Sequence, residues 1–325
     1  MKESWIWRDY QIGDEHQILN LYKEVNQKEM TLAHWTWKFA ENPFGKAIIK
    51  LLFDGNKLIG HYAVLPMDVQ VQGKPVKAAL SVNTMTHPDY RGHGIFPFLG
   101  QETYQTCMDN GIRFIYGFPN NNIYQPRINK LEWIGFGKMT SLEKELEPGN
   151  MGAIEPESQI CPIDSFDERV NSLWNKTRSG YSISVIRTTE FLNWRFTAHP
   201  VVNYPKYVYA DDNNNVLGYM ALKTFIDEDE IKGHIVDMLC IDEEYIFRHL
   251  ISYACNYFIE NGITNLSCWA PEGSFYSRVL EKEDFFRTEF NVYFGIRTLD
   301  MEDESISDIK QMTNWHLTMG DIDVF

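Results

Sequence analysis

The segment 84–99 has the residue types and spacing of a site that binds a phosphorylated ligand. A strand rich in Val, Thr and Leu is predicted over 78–86, and a helix over 97–110 that Gly111 ends. Between them, the two glycines of Arg91-Gly92-His93-Gly94 let the backbone turn sharply and approach a ligand. A helix N-terminus presents unpaired N–H groups and a partial positive charge, which suits a phosphate or pyrophosphate. An ordinary tight turn is the alternative interpretation.

The turn differs from two other phosphate-binding motifs. No Lys-Ser or Lys-Thr follows the glycines, as a P-loop requires, and Pro97 stands where the dinucleotide-binding motif has a third glycine or alanine. The turn therefore predicts an anion site without naming the ligand.

The composition is that of a folded protein with an acidic surface. A chain of 325 residues with 44% hydrophobic and 14% aromatic residues predicts packed cores, and its length favours two domains. The net charge of −15 disfavours nonspecific binding to nucleic acid. An acidic field attracts a cationic amine, although solubility alone is an alternative explanation.

The sequence predicts a cytoplasmic protein without a metal site. No apolar run reaches the roughly 18–20 residues that span a bilayer, and the first residues lack the apolar centre of a signal peptide. The five cysteines have no CxxC spacing, and the nine histidines form no HxH or HxxxH pair. We therefore expect free thiols in a reducing compartment, no metal and no membrane partner.

Two internal repeats predict that the chain contains two copies of one α/β unit. Trp37-Lys-Phe-Ala-Glu-Asn-Pro43 is echoed by Trp194-Arg-Phe-Thr-Ala-His-Pro200, and each copy is followed by a strand, a polar turn and another strand. Asn110-Gly-Ile is echoed later by Asn261-Gly-Ile, again at a helix end before a strand. Two repeats in the same order indicate a tandem duplication.

The boundary between the copies is predicted in a segment rich in proline and glycine. We expect a first domain over 1–147, a linker over 148–162 and a second domain over 163–325. A helix starting near Asp164 would open the second domain. The aromatic residues of the C-terminal tail predict that it docks on that domain.

The spelling Pro88-x-Tyr-Arg-Gly-x-Gly-Ile95 resembles motif A of the GNAT N-acetyltransferase superfamily, whose loop grips the pyrophosphate of acetyl-CoA. Arg91 and Gly94 match this motif, whereas Phe96 stands where the family usually has Gly or Ala. The resemblance covers about residues 7–146. It implies an α/β (α+β) fold of two tandem GNAT-like domains, each a twisted, mixed, mostly antiparallel sheet flanked by helices.

The resemblance also implies where acetyl-CoA would bind. The pantetheine arm lies between the fourth and fifth strands of the family fold, which map here to 78–86 and 113–118. Asn120 would bond the cofactor or only cap the next helix. The backbone of the fourth strand would meet pantetheine and the loop would meet pyrophosphate, which gives the expected cofactor residues as Thr84, Met85, Thr86, Arg91, Gly92, His93, Gly94, Ile95, Phe96 and Asn120.

The sequence lacks the residue that the family usually uses as the acid in acetyl transfer, and it offers only candidates for the acid and the base. Many family members use a Tyr four residues before a Gly-Phe pair as the acid, but Leu131 holds that position before Gly135-Phe136. Tyr124 is the nearest substitute, with packing of a loop aromatic as the alternative. His87 directly follows the fourth strand and is a candidate base because histidine often serves in that role, with turn capping as its alternative. A water relay would remove the need for a dedicated base.

The second copy lacks the glycine turn. Its counterpart, Ile241–Leu250, has no glycine and has three consecutive acids at 242–244, so we expect it no longer to bind the cofactor. The resemblance as a whole implies an acetyl-CoA-dependent N-acetyltransferase that acts on a primary amine of a small molecule by direct attack in a ternary complex. A catalytically weak CoA- or ligand-binding sensor or scaffold is the alternative. A third reading, an aminoacyl-tRNA donor, is disfavoured by the acidic charge.

Overall fold

The computed structural model describes residues 4–147, 159–227, 230–300 and 304–323. This part of the chain forms two compact units, each drawn from three separate stretches. The stretches are Met1–Val69, Pro75–Gly137 and Asn291–Lys310 for unit 1, and Gln70–Lys74, Lys138–Phe290 and Gln311–Phe325 for unit 2. The continuous domains expected over 1–147 and 163–325 stay a prediction, and most of the expected linker, 148–158, lies outside the described residues.

The described residues alternate between strands and helices. The strands are β1 (Trp5–Asp9), β2 (Ile48–Asp54), β3 (Lys57–Val71), β4 (Lys74–Thr86), β5 (Phe114–Gly117), β6 (Ile134–Glu145), β7 (Ile160–Pro162), β8 (Ile183–Val185), β9 (Lys206–Ala210), β10 (Val216–Asp227), β11 (Glu230–Cys240), β12 (Asn265–Cys268), β13 (Phe286–Thr298) and β14 (Trp315–His316). The α-helices are α1 (Glu15–Asn26), α2 (Leu32–Phe39), α3 (Ile95–Asp109), α4 (Asn121–Leu131), α5 (Arg169–Thr177), α6 (Thr189–Phe196), α7 (Glu244–Glu260) and α8 (Phe275–Lys282).

Unit 1 is built on a mixed sheet with the strand order β1-β2-β3-β4-β5-β13. β1 and β2 pair antiparallel, as do β2 and β3, whereas β4 and β5 pair parallel over Ala78–Leu80 and Phe114–Tyr116. The far edge of β5 pairs antiparallel with Gly295–Thr298 of β13. A stretch that comes late in the chain therefore completes the sheet of the first unit.

Unit 2 repeats this plan with the strand order β6-β12-β11-β10-β9-β7. β11 and β12 form its parallel pair, and the pairs β12–β6, β10–β11, β9–β10 and β7–β9 are antiparallel. The repeat and the α/β fold class predicted from the sequence are therefore confirmed.

The repeated Trp-x-Phe segments are short helices that begin in the same way. Thr31 caps α2 by accepting a hydrogen bond from the N–H of His34, and Thr188 caps α6 by accepting one from the N–H of Phe191. The helix expected near Asp164 begins later, at Arg169, because the side chain of Asn193 takes up both the N–H and the carbonyl oxygen of Phe166.

Close contacts fix α3 on the sheet of unit 1. A Cβ at Gly60 of β3 would lie 2.6 Å from Ile95 Cγ2 and 3.0 Å from Leu99 Cδ1. A Cβ at Gly100 would lie 2.7 Å from Leu131 Cδ1. The missing side chain at Gly60 lets the start of α3 approach β3 closely, and the one at Gly100 lets α4 pack closely on α3, which together hold the helix in place.

The C-terminal tail is held in unit 2 by a buried ionic cluster. Arg187 donates from Nη2 to Asp237 Oδ1 at 3.2 Å and to Asp321 Oδ2 at 2.9 Å, and all three side chains are almost fully buried. Thr318 Oγ1 donates to Asp237 Oδ1 at 2.7 Å. Burial opposes ionisation of Asp237, but Arg187 and the hydroxyl donors outweigh it and hold its pKa below the usual value. Burial raises the pKa of Asp321 despite Arg187.

Candidate functional site

The glycine turn of unit 1 presents open backbone at the start of α3. Gly92 and Gly94 have φ of +83° and +78°, the left-handed region that favours glycine. A Cβ at either position would meet nothing within 4 Å, so one side of the turn is free. Gly94 is the N-cap residue and offers no side chain to the first amides of the helix. These amides therefore remain available to an anion.

The side chains of the turn pack against unit 1. The ring of Phe96 stacks on Tyr62 with centroids 6.1 Å apart, and the ring of His93 meets Trp5 edge-on at 5.9 Å. Ile95 is buried, whereas Arg91 is exposed. Phe96, which departs from the motif that the turn resembles, is thus accommodated by the core.

A gap opens between β4 and β5 next to this turn. The strands pair only as far as Leu80 and Tyr116, and β4 then runs on to Thr86 while β5 ends at Gly117. Asn83, with φ of +46°, bends β4 just beyond the last pair. Beyond Leu80, the edge of β4 that faces β5 is therefore not paired with it.

A buried histidine supports the bend at Asn83. Nδ1 of His61 lies 2.7 Å from the carbonyl oxygen of Asn83, and complete burial lowers the pKa of His61 to about 4. His61 is therefore neutral at pH 7 and donates from Nδ1 to that oxygen. The contact fixes the bent strand without adding charge.

The expected pantetheine residues Thr84, Met85 and Thr86 all lie on the end of β4 that borders the gap. Met85 is buried, with Sδ 3.9 Å from Nδ2 of Asn26. Thr84 points its hydroxyl oxygen to Arg127. The structure thus places these residues beside the glycine turn, and their backbone contacts with a ligand stay a prediction.

Arg127 of α4 is a residue of this site that sequence reasoning missed. It is 4% exposed, and its Nη atoms donate to Tyr62 Oη at 3.0 Å, Ser81 Oγ at 3.0 Å and Thr84 Oγ1 at 3.1 Å. The guanidinium lies 4.4 Å from the ring of Trp133. Its contacts within the described residues include no carboxylate. An arginine after Pro126 on a short helix carries no sequence signal that distinguishes it from a solvated one.

We expect Arg127→Met to lower the free energy of unfolding by about 2 to 3 kcal/mol, because the buried hydroxyls of Tyr62 and Ser81 lose a donor. Urea denaturation measures the change. The control is Lys130→Met, at an exposed position of the same helix, which should stay within about 0.5 kcal/mol of the parent. Equal losses in the two variants would contradict the bracing role of Arg127.

His87 occupies the turn that follows β4. Its Nδ1 accepts from the N–H of Asp89 at 3.2 Å, and its Nε2 lies 2.8 Å from Oε2 of Glu24. His87 therefore caps the turn, which is the alternative role expected from the sequence, and both of its ring nitrogens have partners. Its action as a base stays a prediction.

Tyr124 and Asn120 lie at the start of α4. Tyr124 Oη accepts from the N–H of Gly137 at 2.8 Å, and its ring stacks on Tyr293 with centroids 4.2 Å apart. The phenol proton of Tyr124 thus remains free to be donated. Asn120 caps α4 by accepting from the N–H of Asn122 at 3.1 Å, the second of its two expected roles.

Unit 2 has a corresponding gap between β11 and β12, but it lacks the glycine turn. β11 and β12 pair only as far as Ile235 and Cys268, and β11 then runs on to Cys240. The link from β11 to α7 has exposed acids at Asp242 and Glu243 and no glycine. Unit 2 therefore keeps the strand geometry and replaces the glycine turn by carboxylates.

The described residues contain no group of three or more His, Cys, Asp or Glu side chains that could hold a metal ion. No helix in the same part of the chain is long and apolar enough to cross a membrane. The five cysteines are free thiols, of which Cys161 is exposed.

Comparison with known proteins gives one matching domain model and several similar folds. Residues 7–129 match the family model for an acetyltransferase (GNAT) domain. A search of the curated proteins gives no match.

Several solved structures share the fold at low sequence identity. A conserved protein from Enterococcus faecalis V583, described as a probable N-acyltransferase, matches with a TM-score of 0.72 and 12% identity over 92% of this chain and 73% of its own. A GCN5-related N-acetyltransferase from Anabaena variabilis matches with a TM-score of 0.67 and 14% identity, over 91% of this chain and 73% of its own. Saccharomyces cerevisiae N-myristoyltransferase with bound myristoyl-CoA and inhibitors matches with a TM-score of 0.65 and 12% identity, over 100% of this chain and 87% of its own.

Proposed function

We propose that this chain is an acetyl-CoA-dependent N-acetyltransferase of the GNAT superfamily that acts on a primary amine of a small molecule. The match of residues 7–129 to an acetyltransferase (GNAT) domain supports the proposal. The coarser assignment, an acyl-CoA-dependent acyltransferase, is supported by the matched domain and by the acyltransferases that share the fold. The choice of acetyl as the acyl group and of a primary amine as the acceptor is the more specific part of the proposal.

The observation that carries the proposal is the turn at Gly92 and Gly94. Both residues have positive φ, one side of each is open, and the amides that start α3 receive no side-chain cap. Such a turn fits a pyrophosphate, because backbone amides and the helix dipole both favour negative charge there. The exposed Arg91 supplies a cation at the same turn. The matching position of unit 2 shows that the fold forms without these glycines.

Different residues of unit 1 are assigned to different parts of acetyl-CoA. We assign the pyrophosphate to Arg91 and to the amides of Gly92–Phe96, and pantetheine to the backbone of Thr84–Thr86 at the open edge of β4. Pro97 has no N–H to give. The thioester supplies the activated acetyl group. Direct transfer then needs the amine held in line with it and stripped of its proton.

Tyr124 is the proposed acid for the departing thiolate. Its oxygen accepts from Gly137, which orients the phenol, and its own proton is free. For the ammonium proton, the contacts of His87 with Asp89 and Glu24 favour a water relay over direct use of the ring. Asn120 is assigned to the cofactor only through its place at the start of α4.

We expect Tyr124→Phe to lower kcat by about a hundredfold, because it removes the proton donor and keeps the stack on Tyr293. Tyr293→Phe is the matched control, since it removes a phenol from the other ring of the same stack. Steady-state rates and melting temperatures of both variants separate chemistry from folding. An unchanged kcat in Tyr124→Phe would leave packing as its role.

The activity itself is tested by release of free CoA thiol. The parent protein is incubated with acetyl-CoA and a panel of primary amines, and again with propionyl-CoA and myristoyl-CoA. A blank without amine removes the signal of exposed Cys161. Amine-dependent release with acetyl-CoA supports the proposal. Faster release with a longer acyl chain would replace acetyl by that group, and binding without release would indicate a sensor.

A further inference from the structure

Arg127 is a buried cation of unit 1 that no carboxylate neutralises within the described residues. Its Nη atoms donate only to hydroxyl oxygens, and its guanidinium lies over the rings of Trp133 and Tyr62. Tyr62 Oη lies 2.8 Å from Tyr104 Oη, and burial raises the pKa of Tyr104 well above its usual value, so this phenol supplies no negative charge. Proteins ordinarily pair a buried charge with an opposite one. The positive charge of Arg127 is thus available to a negative group.

The bend of β4 brings two hydroxyls to this arginine. Side chains of a regular strand alternate between the two faces of its sheet, so residues three apart, such as Ser81 and Thr84, would point to opposite faces. Asn83, with its positive φ, lies between them. Both hydroxyl oxygens accept from Nη2 of Arg127, at 3.0 and 3.1 Å. The bend therefore directs both hydroxyls to the side of the sheet where Arg127 lies.

Of these two hydroxyl residues, Thr84 is the more accessible. Ser81 is buried at the closed end of the gap, where a Cβ at Gly117 would lie only 3.4 Å from Ser81 Cβ. Thr84 is half-buried and lies three residues further from the last paired residue of β4. Its hydroxyl accepts from Arg127 and has no acceptor for its own proton among the described residues. That proton can therefore be donated to a ligand.

The proposed path of acetyl-CoA leads its acyl end to Thr84. The pyrophosphate is assigned to the turn at 91–96 and pantetheine to Thr84–Thr86, so the cofactor runs back along β4 from the turn towards the closed end of the gap. The thioester is at the end of pantetheine that is far from the pyrophosphate. It therefore comes to the part of β4 that carries Thr84 and the bend at Asn83.

We propose that the hydroxyl of Thr84, held by Arg127, donates a hydrogen bond to the carbonyl oxygen of the acyl thioester, an assignment that rests on the function proposed above. The amine nitrogen forms a bond to the thioester carbon, and the π electrons of the carbonyl move onto this oxygen. When the double bond forms again, the C–S bond breaks and the CoA thiolate leaves with its electron pair. The thiolate takes a proton from Tyr124, and the proton of the amine passes to water.

This arrangement favours the transition state over the bound thioester. The neutral carbonyl oxygen gains one hydrogen bond, whereas the negative oxygen also gains the attraction of the guanidinium behind Thr84. The guanidinium is already in place before the reaction, so no group has to turn as the charge develops. Thr84 is thus a catalytic residue, and Arg127 is a positioning residue that acts through it.

Thr84→Val and Thr84→Ser test the role of the hydroxyl. Valine keeps the shape of threonine without the hydroxyl, so the kcat of amine-dependent CoA release should fall by about a hundredfold. The Kd for acetyl-CoA, measured by titration calorimetry, should stay within about threefold of the parent, because the bond strengthens only as the oxygen becomes negative. Serine keeps the hydroxyl, so its kcat should stay within about fivefold of the parent.

Two further variants separate this role from folding. Thr106→Val removes a hydroxyl that donates to the carbonyl oxygen of Glu102 within α3, and it should keep the kcat of the parent. Arg127→Met should lower kcat in the parent but by less than about threefold in the Thr84→Val background, because both changes remove the same interaction. Each rate is measured per folded protein, below the melting temperature of the variant.

The parent protein is assayed beside every variant, which distinguishes the two proposals. No amine-dependent release by the parent would contradict the proposed function and the role of Thr84 with it. With an active parent, an unchanged kcat in Thr84→Val, or an equal loss in Thr84→Ser, would contradict only the role of Thr84. A weaker Kd with the kcat of the parent would also overturn it, because the hydroxyl would then bind pantetheine. Losses that multiply in the Arg127→Met, Thr84→Val variant would overturn the positioning role of Arg127.

Discussion

Gly94→Glu should abolish measurable binding of acetyl-CoA while the protein still folds. Gly94 has φ of +78°, so a side chain there strains the turn, and the new carboxylate would stand at the amides that start α3. Two like charges about 4 Å apart repel by about 4 kcal/mol at an effective dielectric constant of 20. We therefore expect Kd to rise by at least about a hundredfold, measured by titration calorimetry.

The same helix provides a matched control for this substitution. Gly111 follows α3 at its other end, has φ of +73° and, like Gly94, has open space at the Cβ position. Gly111→Glu therefore introduces the same charge and the same backbone strain away from the turn. It should bind acetyl-CoA within about threefold of the parent, and the ligand should raise its Tm as it does for the parent. Equal affinity in Gly94→Glu and Gly111→Glu would refute the assignment of the turn to the cofactor.

The second large effect concerns stability: Arg187→Met should lower the free energy of unfolding by about 3 to 5 kcal/mol. The substitution leaves Asp237 and Asp321 buried without their shared cation. Urea denaturation at pH 7 measures the loss. Arg169→Met removes an exposed ion pair with Asp167 in the same unit and should cost less than about 1 kcal/mol.

The pH dependence of Arg187→Met distinguishes lost charge from lost packing. In the parent, the lowered pKa of Asp237 contributes stability at neutral pH that is lost as the pH falls through the folded pKa. In the variant, burial without Arg187 should raise the pKa of both carboxyls above their unfolded values. The deficit of the variant should therefore shrink as the pH falls from 7 to 5. Adding Asp237→Asn and Asp321→Asn should recover part of the loss at pH 7, whereas a deficit independent of pH would indicate packing alone.

The sequence predicted those features that local patterns control. The strand expected over 78–86 lies within β4 (Lys74–Thr86), and the helix expected to stop at Gly111 is α3 (Ile95–Asp109). The two Trp-x-Phe repeats predicted a duplicated unit because both copies use the same short, threonine-capped helix. These signals are carried by residues a few positions apart, so they are visible in the sequence.

The features that escaped prediction depend on residues far apart in the chain. Arg127 meets Ser81 and Tyr62 only after α4 has packed on the sheet, and no spacing along α4 marks it. The late start of α5 depends on Asn193, 27 residues beyond Phe166. The pairing of β13 with β5 likewise joins two distant segments. Periodicity indicates which face a strand buries but not which strand becomes its neighbour.

The late arrival of β13 has a consequence during synthesis on the ribosome. The free edge of β5 is made by Gly117, but its partner begins at Gly295. At ordinary rates of translation, about 5 to 20 residues per second, the nascent chain waits about 10 to 35 seconds before that edge can be covered. An uncovered strand edge pairs readily with other chains. A nascent chain that stalls in this interval is thus a natural client for chaperones, and slower translation should lengthen its exposure.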